Sequence, residues 1–244
     1  MEIQKIAIIG QGNVAYHYQK IMLSKGLDVE IIPSRQPFDL GKIQRDLIII
    51  AVKDDAISEV VDKIYILNHR QRLTSIVVHT SGYTETKYLA KITNRYGSFY
   101  PLQSLRKGVE IDFSTVPLCV WANEEDTLKG LHCLATKLTK TIYVLDDNQR
   151  KSLHLAAVFS NNFTNHLFYI SKTILDKANI PFETLFPLID RTTQAIKENN
   201  PYDLQTGPAI REDYSIMNNH KNQLEDRWQE IYNTISESIV KEHR

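Results

Sequence analysis

The chain has 244 residues, enough for one large domain or two modest ones with a substantial core. Lys plus Arg and Asp plus Glu number 29 each, a balance that excludes the positive field typical of nucleic-acid-binding proteins and of proteins on anionic membranes. Its two cysteines, Cys119 and Cys133, provide neither a disulfide framework nor a metal-ligand spacing, and no signal peptide is recognisable at the N-terminus. We therefore expect a cytoplasmic protein that binds no metal, nucleic acid or membrane.

The chain opens with an apolar run, a glycine-rich turn and sequence compatible with a helix. The unbroken run at residues 6–9 is typical of a parallel strand buried on both faces. It leads into GQGNVA, a GxGxxA fingerprint in which Gly10 permits a tight turn, Gly12 lets the backbone approach a pyrophosphate and Ala15 lets the helix pack closely. The helix N-terminus then favours a diphosphate. The predicted dinucleotide contacts here are Gly10, Gln11, Gly12, Asn13 and Val14.

The end of the second predicted strand, residues 29–32, bears on which dinucleotide binds. NAD enzymes place an Asp or Glu near this point to accept a hydrogen bond from the ribose 2′-OH. This chain has Ser34 and Arg35 instead, and a guanidinium can bind the 2′-phosphate that a carboxylate would repel. The alternative is that Arg35 is a solvated loop residue. We predict NADP rather than NAD, with Ser34 and Arg35 as contacts.

Further strands are predicted at residues 47–52, 75–79, 98–104, 117–121 and 141–145, with a helix over about 124–139. Ligands of such sheets bind outside the carboxyl ends of the strands, so Val52, Lys53 and Thr80 should contact the cofactor and Ser81 the substrate. Asp54 or Asp55 is expected to cap the helix that follows.

From Asp147 onward strand patterns stop and helical periodicity takes over. We place a boundary there, dividing a dinucleotide-binding domain (1–147) from a helical domain for substrate binding and dimerisation (148–244). Helices are predicted over about 148–177, 182–198 and 220–241, with another beginning at Tyr214. The last carries an apolar stripe that packs within its domain or against a second subunit, and we expect a two-fold homodimer.

The predicted helix over 148–177 carries an unusual polar face. His154 shares it with three asparagines, opposite a stripe of apolar side chains. Simple solvent exposure is one interpretation, although solvated faces usually carry Lys and Glu. The other is a site whose uncharged groups orient a carbonyl or carboxamide. The asparagines are Asn161, Asn162 and Asn165.

A turn over residues 204–213 contains residues with structural roles and one residue that suggests anion binding. Gly207-Pro208 is explained by chain reversal, and Asp213 by capping the helix that begins at Tyr214. Arg211, just before that helix, is placed to hold a carboxylate or phosphate.

The strings GxGxxA, DLIIIAVKDDAI, VVHTSG, YPLQSL, HLAAVFSNNF and TGPAIRED occur in this order. Together they resemble a bacterial Rossmann-like family with a C-terminal helical domain of uncharacterised function. That family is related to pyrroline-5-carboxylate reductase, deazaflavin-dependent NADP reductase and the 6-phosphogluconate and 3-hydroxyacid dehydrogenases. The resemblance implies a doubly wound, mostly parallel sheet followed by an all-α domain that dimerises. It also implies NADP on Gly10, Gly12 and Ala15, and a cleft where Ser81, His154, Asn162, Arg211 and Asp213 meet.

This chain departs from its relatives at three positions. Val158 stands where the hydroxyacid dehydrogenases carry a catalytic lysine, one turn before the asparagine, and valine cannot shuttle a proton. Tyr100 begins a segment that often reads His-Pro-Leu-Gln, and Glu212 replaces the usual glycine of a GPxxRGD motif.

The favoured hypothesis is an NADP-dependent oxidoreductase acting on an unidentified small substrate, with an anionic substrate as one option. His154, Asn162 and Ser81 are its predicted catalytic residues, and their side chains should open onto the same pocket as the Gly10–Gly12 turn. Tyr100, Arg211 and Asp213 are the predicted substrate contacts. The alternative is a non-catalytic dinucleotide-binding sensor or assembly protein, which the missing lysine favours.

Overall fold

The computed structural model describes residues 2–244. By its internal contacts the chain divides into two compact units, one ending at Asn162 and the other running from Phe163 to Arg244. We call them the sheet unit and the helical unit.

A seven-stranded sheet dominates the sheet unit. Its strands are, in chain order, β1 (Lys5–Ile9), β2 (Asp28–Ile32), β3 (Leu47–Ile50), β4 (Ile76–His79), β5 (Tyr96–Pro101), β6 (Leu118–Ala122) and β7 (Ile142–Val144). They lie in the order β2-β1-β3-β4-β5-β6-β7, and every neighbouring pair is parallel except β5 and β6. The predicted mostly parallel sheet is confirmed, with each strand within a few residues of its predicted limits.

The central strands are apolar without interruption because both faces of the sheet are covered. Ile8 and Ile49, neighbours in register, belong to the core under one face, whereas Ile9 and Ile50 belong to the core under the other. The α-helices of this unit are α1 (Asn13–Ser24), α2 (Leu40–Ile43), α3 (Ile57–Leu67), α4 (Glu125–Leu138) and α5 (Asp147–Ala157). The carboxyl ends of β1 to β4 thus come together at one edge.

The helical unit contains α6 (Thr164–Lys177), α7 (Phe186–Glu198), α8 (Tyr214–Gln223) and α9 (Asp226–Glu242). Between Phe163 and Arg244 few side chains are buried: Ile170, Ala209, Trp228 and Ser236. Large apolar side chains on its helices are exposed instead. Within residues 2–244, no helix has the length and apolar character needed to cross a membrane.

Two predicted helices differ from the observed ones. The predicted helix over 148–177 is interrupted by a π-helical segment, Val158–Phe163, which inserts an extra residue per turn and rotates everything beyond it. The predicted helix over 220–241 is two helices, because Leu224 is extended (φ −88°, ψ 149°) and separates α8 from α9. The division by contacts leaves α5 in the sheet unit, whereas the assignment of separate cofactor and substrate roles to residues 1–147 and 148–244 stays a prediction.

Candidate functional site

A cleft of about 900 Å³ opens at the carboxyl ends of β1 to β4. Its volume lies within the range of small-molecule and cofactor sites. All ten predicted cofactor contacts line it: Gly10, Gln11, Gly12, Asn13, Val14, Ser34, Arg35, Val52, Lys53 and Thr80. The strands bring these separated residues together, as the rule for doubly wound sheets requires.

The turn after β1 is shaped by its two glycines. Gly10 has φ +131°, and a Cβ atom there would lie 2.2 Å from the carbonyl oxygen of Ala51. At Gly12 a Cβ atom would meet nothing within 4 Å, so the space beside this backbone is open. No side chain in the described chain caps α1, which starts at Asn13. Free first-turn N–H groups beside open space suit a diphosphate.

Cationic side chains lie at the part of the cleft that follows β2. Arg35 lines it, and Lys63 joins from α3. The Lys63 ammonium is 2.7 Å from the carboxylate of Glu59, which also lines the cleft. Sequence analysis missed this pair, although its four-residue spacing on a helix was visible. The predicted capping by Asp54 or Asp55 is wrong, because the α3 N-cap is Ala56 and no side chain caps this turn.

His154, on α5, lies against the loop that follows β4. A Cβ atom at Gly82 would lie 2.5 Å from His154 Nδ1, so only glycine leaves room for the imidazole there. The hydroxyl of Tyr100, on β5, is 3.0 Å from the same nitrogen. Thr80 of this loop lines the cleft, and Gly82, which approaches His154, follows Thr80 by two residues in the chain.

Arg150 holds α5 to this loop. Its side chain is 0% exposed, and its Nη1 is 2.7 Å from Asp147 Oδ1. The guanidinium also donates to the carbonyl oxygens of Ser81 and Thr84 and to the hydroxyl of Ser98. A buried guanidinium needs such partners, because burying an unpaired charge is very costly. The role of Arg150 was not predicted from the sequence, because a single arginine in the first turn of a helix resembles a surface residue.

His79 is the other buried polar group beside this network. Burial, with the nearby Arg150 charge, lowers the pKa of His79 to about 3, so its imidazole is neutral at ordinary pH. Its Nδ1 accepts from the Ser81 N–H at 3.3 Å. Its Nε2 has no hydrogen-bond partner among residues 2–244. His79 therefore supports the Ser81 turn from inside the sheet.

Sequence and structure comparisons identify the relatives of this site. Residues 116–239 match the family model described as "Domain of unknown function (DUF2520)". The chain belongs to the DUF2520 family. A crystal structure from Bacteroides fragilis, described as a "putative NADP oxidoreductase", is 32% identical, with 98% of each chain covered and a TM-score of 0.86.

Two more distant structures share the fold with this DUF2520 protein. One is a Thermotoga maritima protein, 17% identical, with 98% of each chain covered and a TM-score of 0.66. The other is a reductive aminase from Aspergillus terreus in complex with NADPH and ethyl-5-oxohexanoate, 13% identical over 99% of this chain and 95% of that one, with a TM-score of 0.68. No curated protein matches the sequence. The resemblance to Rossmann-like NADP oxidoreductases with a helical C-terminal domain is confirmed.

The predicted catalytic residues of this DUF2520 chain are not gathered in the cofactor cleft. Within the described residues, the lining of this cleft does not include Ser81, His154 or Asn162, and their catalytic roles stay a prediction. Ser81 is 5% exposed, and its Oγ accepts from the N–H groups of Tyr83 and Thr84, which shapes the loop. Asn162 lies exposed in the π-helical segment.

Arg211 and Asp213 belong to the helical unit, between α7 and α8. The Asp213 side chain accepts from the Ile216 N–H at 3.2 Å, so the predicted cap is present. Arg211 is exposed. Glu212 has φ +52°, the left-handed conformation that explains the glycine expected there from the family resemblance. Its carboxylate is 2.8 Å from Arg244 and from the Tyr214 hydroxyl. Binding of substrate by Arg211 and Asp213 stays a prediction.

Proposed function

We propose that this protein is an NADP-dependent oxidoreductase that transfers a hydride between the nicotinamide and a small, anionic substrate. The observation that carries this proposal is the cleft at the carboxyl ends of β1 to β4, lined by all ten predicted contacts with Arg35 among them. The name of the Bacteroides fragilis relative, 32% identical over 98% of each chain, agrees with it.

The residues of the cleft fit each part of the dinucleotide. The open space at Gly12 and the uncapped start of α1 suit the pyrophosphate. Ser34 and Arg35 suit a 2′-phosphate, with Lys63 adding positive charge at the same wall. Thr80 suits the nicotinamide end, close to the loop that carries Gly82. The bound cofactor would supply the hydride at C4 of its nicotinamide.

The substrate would meet His154 first. Its imidazole is half-exposed beside Gly82, and it can form a hydrogen bond with a reacting group. In this proposal Asn162 orients a carbonyl or carboxamide, and the exposed guanidinium of Arg211 holds an anionic group, with Asp213 as a further substrate contact. Ser81 acts indirectly, since its hydroxyl accepts two backbone hydrogen bonds within its own turn.

One observation favours the alternative of a non-catalytic dinucleotide sensor. Val158, where dehydrogenases of the resembling group carry lysine, offers no proton-transferring group. One measurement distinguishes the enzyme from the sensor. Oxidation of NADPH, followed by absorbance across a panel of small carbonyl and imine acids, supports the enzyme. Tight NADPH binding without turnover of any panel member supports the sensor.

A second copy of the chain is the partner that we propose. α-Helices bury their apolar stripes only against another layer. In the helical unit an apolar groove of about 310 Å³ is lined by Leu167, Ile174, Trp228, Ile231 and Ile235, and several of these side chains are exposed. A two-fold symmetric dimer covers such a surface with its own equivalent. We propose that the dimer works in the cytoplasm.

Cofactor binding is tested with Arg35→Ala. NADPH should bind at least about tenfold more tightly than NADH, because one charge-assisted hydrogen bond supplies roughly that difference. Arg35→Ala should remove most of the preference while leaving NADH affinity unchanged. Arg72→Ala is the control, because Arg72 bonds to Asn94 and does not line the cleft. Equal affinity of the unaltered protein for the two cofactors by calorimetry would contradict the assignment.

A further inference from the structure

The hydrogen bond between Tyr100 and His154 is donated by one of the two groups, and the protons that each group carries decide which one. The phenol oxygen and His154 Nδ1 are 3.0 Å apart, a normal hydrogen-bond distance, and the rings meet edge to face at 78°. One of the two atoms must therefore donate. Which one donates fixes the position of the proton on the imidazole.

Tyr100 keeps its proton. Burial, with a smaller contribution from Cys119, raises the pKa of Tyr100 to about 12, despite the opposing charge of Arg150. Among residues 2–244 the hydroxyl has one hydrogen-bond partner, His154 Nδ1. If Nδ1 were the donor, the phenolic proton would have no protein acceptor in a partly buried place, and an unpaired buried donor is costly. The hydroxyl therefore donates to Nδ1.

A neutral imidazole that accepts at Nδ1 carries its proton on Nε2. From the Tyr100 contact and the close approach at Gly82, we infer that Tyr100 is a positioning residue that presents His154 to the substrate as a neutral Nε2–H hydrogen-bond donor. The matching substrate group is a hydrogen-bond acceptor, such as a carbonyl oxygen. The inference rests on the proposed function only for the identity of that ligand.

The geometry favours this role over that of an imidazolium acid. A protonated His154 would carry a proton on Nδ1 as well, pointing at the Tyr100 hydroxyl, which would then have to turn its own proton away. The titratable groups that act on Tyr100 are the fully buried Arg150 cation, the Cys119 thiol and Asp54. A neutral donor polarises a carbonyl without adding a charge to the site.

Nitrogen NMR measures the tautomer directly and needs no substrate. In long-range proton–nitrogen spectra at pH 8, with His154→Gln used for assignment, His154 should show an unprotonated Nδ1 and a protonated Nε2. In Tyr100→Phe the ring loses its donor and should shift toward the mixed tautomers of free imidazole. Cys119→Ala is the matched control, because Cys119 lies opposite Tyr100 in the β5–β6 register and leaves the phenol in place.

The outcomes separate this inference from the proposed function. A proton on Nδ1 in the unaltered protein, or an unchanged tautomer in Tyr100→Phe, overturns it. NADPH affinity should be the same in the unaltered protein and Tyr100→Phe, because Tyr100 does not line the cofactor cleft. Failure of the unaltered protein to bind NADPH would remove the proposed function while leaving the tautomer assignment standing. Retained NADPH binding with a proton on Nδ1 would overturn the tautomer assignment while leaving the proposed function standing.

Discussion

The two units of this protein bury their apolar side chains very differently. In the sheet unit the strands are covered on both faces, and residues such as Ile8 and Ile9 are 0% exposed. In the helical unit four residues are buried, and Phe186, Leu188 and Ile196 along α7 are 48%, 64% and 49% exposed. A doubly covered parallel sheet completes its own core, whereas helices that each offer one apolar stripe need a further layer.

Polar groups differ between the units in the same way. The sheet unit buries a guanidinium with four protein partners, next to the loop that carries the candidate site. The ion pairs of the helical unit lie near its surface, as between Lys172 and Asp176, each 55% exposed. The loop beside the candidate site is therefore fixed by buried hydrogen bonds, whereas this ion pair of the helical unit is solvated.

The largest effect should come from Arg150→Met, which tests whether the sheet unit depends on its buried cation. The change leaves Asp147 Oδ1 and two carbonyl oxygens without the guanidinium, while Asp147 Oδ2 keeps its two hydrogen bonds from Thr86. Breaking a buried ion pair in this way costs about 3 to 5 kcal/mol. Chemical denaturation should show a loss of that size in the free energy of unfolding.

Arg45→Met is the matched control for this change, because Arg45 pairs with the exposed carboxylate of Asp28 at 3.1 Å. Such pairs contribute about 0 to 1 kcal/mol. Equal losses in the free energy of unfolding for the two variants would mean that the buried Arg150 stabilises the protein no more than an exposed ion pair does.

The same contrast explains how much could be predicted from the sequence. The strands and the cofactor cleft were predictable because each depends on a local pattern: an apolar run, a GxGxxA turn, and an Arg35 at a strand end. The topological rule for parallel sheets then brings the strand ends together without further information.

The remaining features depend on contacts between distant residues. Three of the four partners of Arg150 lie on the β4 loop and on β5, over 50 residues away in sequence, and no local pattern near Arg150 indicates them. The π-helical segment could not be predicted either, because a helical wheel assumes a constant number of residues per turn and this number changes at Val158–Phe163. The expected juxtaposition of Ser81 and Asn162 depends on such distant contacts and stays a prediction.

The next largest effect should come from Ile235→Glu, which tests whether a second copy covers the helical unit. Ile235 lines the apolar groove and is 41% exposed. If a second copy buries it, the charge should weaken the dimer at least about tenfold, because covering such a side chain contributes roughly 1.5 to 3 kcal/mol. Light scattering over a dilution series measures the change.

Ile66→Glu is the control for the dimer, since Ile66 on α3 is 69% exposed and belongs to the sheet unit. It should leave the dimer unchanged. A monomer at micromolar concentration for the unaltered protein, with or without NADPH, would contradict the dimer. Equal weakening by both variants would point to a general charge effect.

The smallest effect concerns Glu212, where the helical unit combines a left-handed backbone with a surface ion pair. At φ +52° a side chain is unfavourable, and glycine is not. Glu212→Gly and Glu212→Ala both remove the carboxylate that binds Arg244, so comparing them isolates the backbone. The glycine variant should melt about 2 to 4 °C above the alanine variant. Equal melting temperatures would show that the turn relaxes at no cost.

The pH dependence of the same variants separates the ion pair from the backbone. Hydrogen bonding to Arg244, and then to Tyr214, lowers the pKa of Glu212 below its ordinary 4.5. A depressed carboxyl pKa adds stability above its unfolded value, and this stability is lost as the pH falls through the folded value. The unaltered protein should therefore lose stability relative to Glu212→Gly on going from pH 7 to below pH 4. The difference between the glycine and alanine variants, which reflects the backbone alone, should not change with pH. A difference that varied with pH would mean that the left-handed turn and the Arg244 contact are coupled.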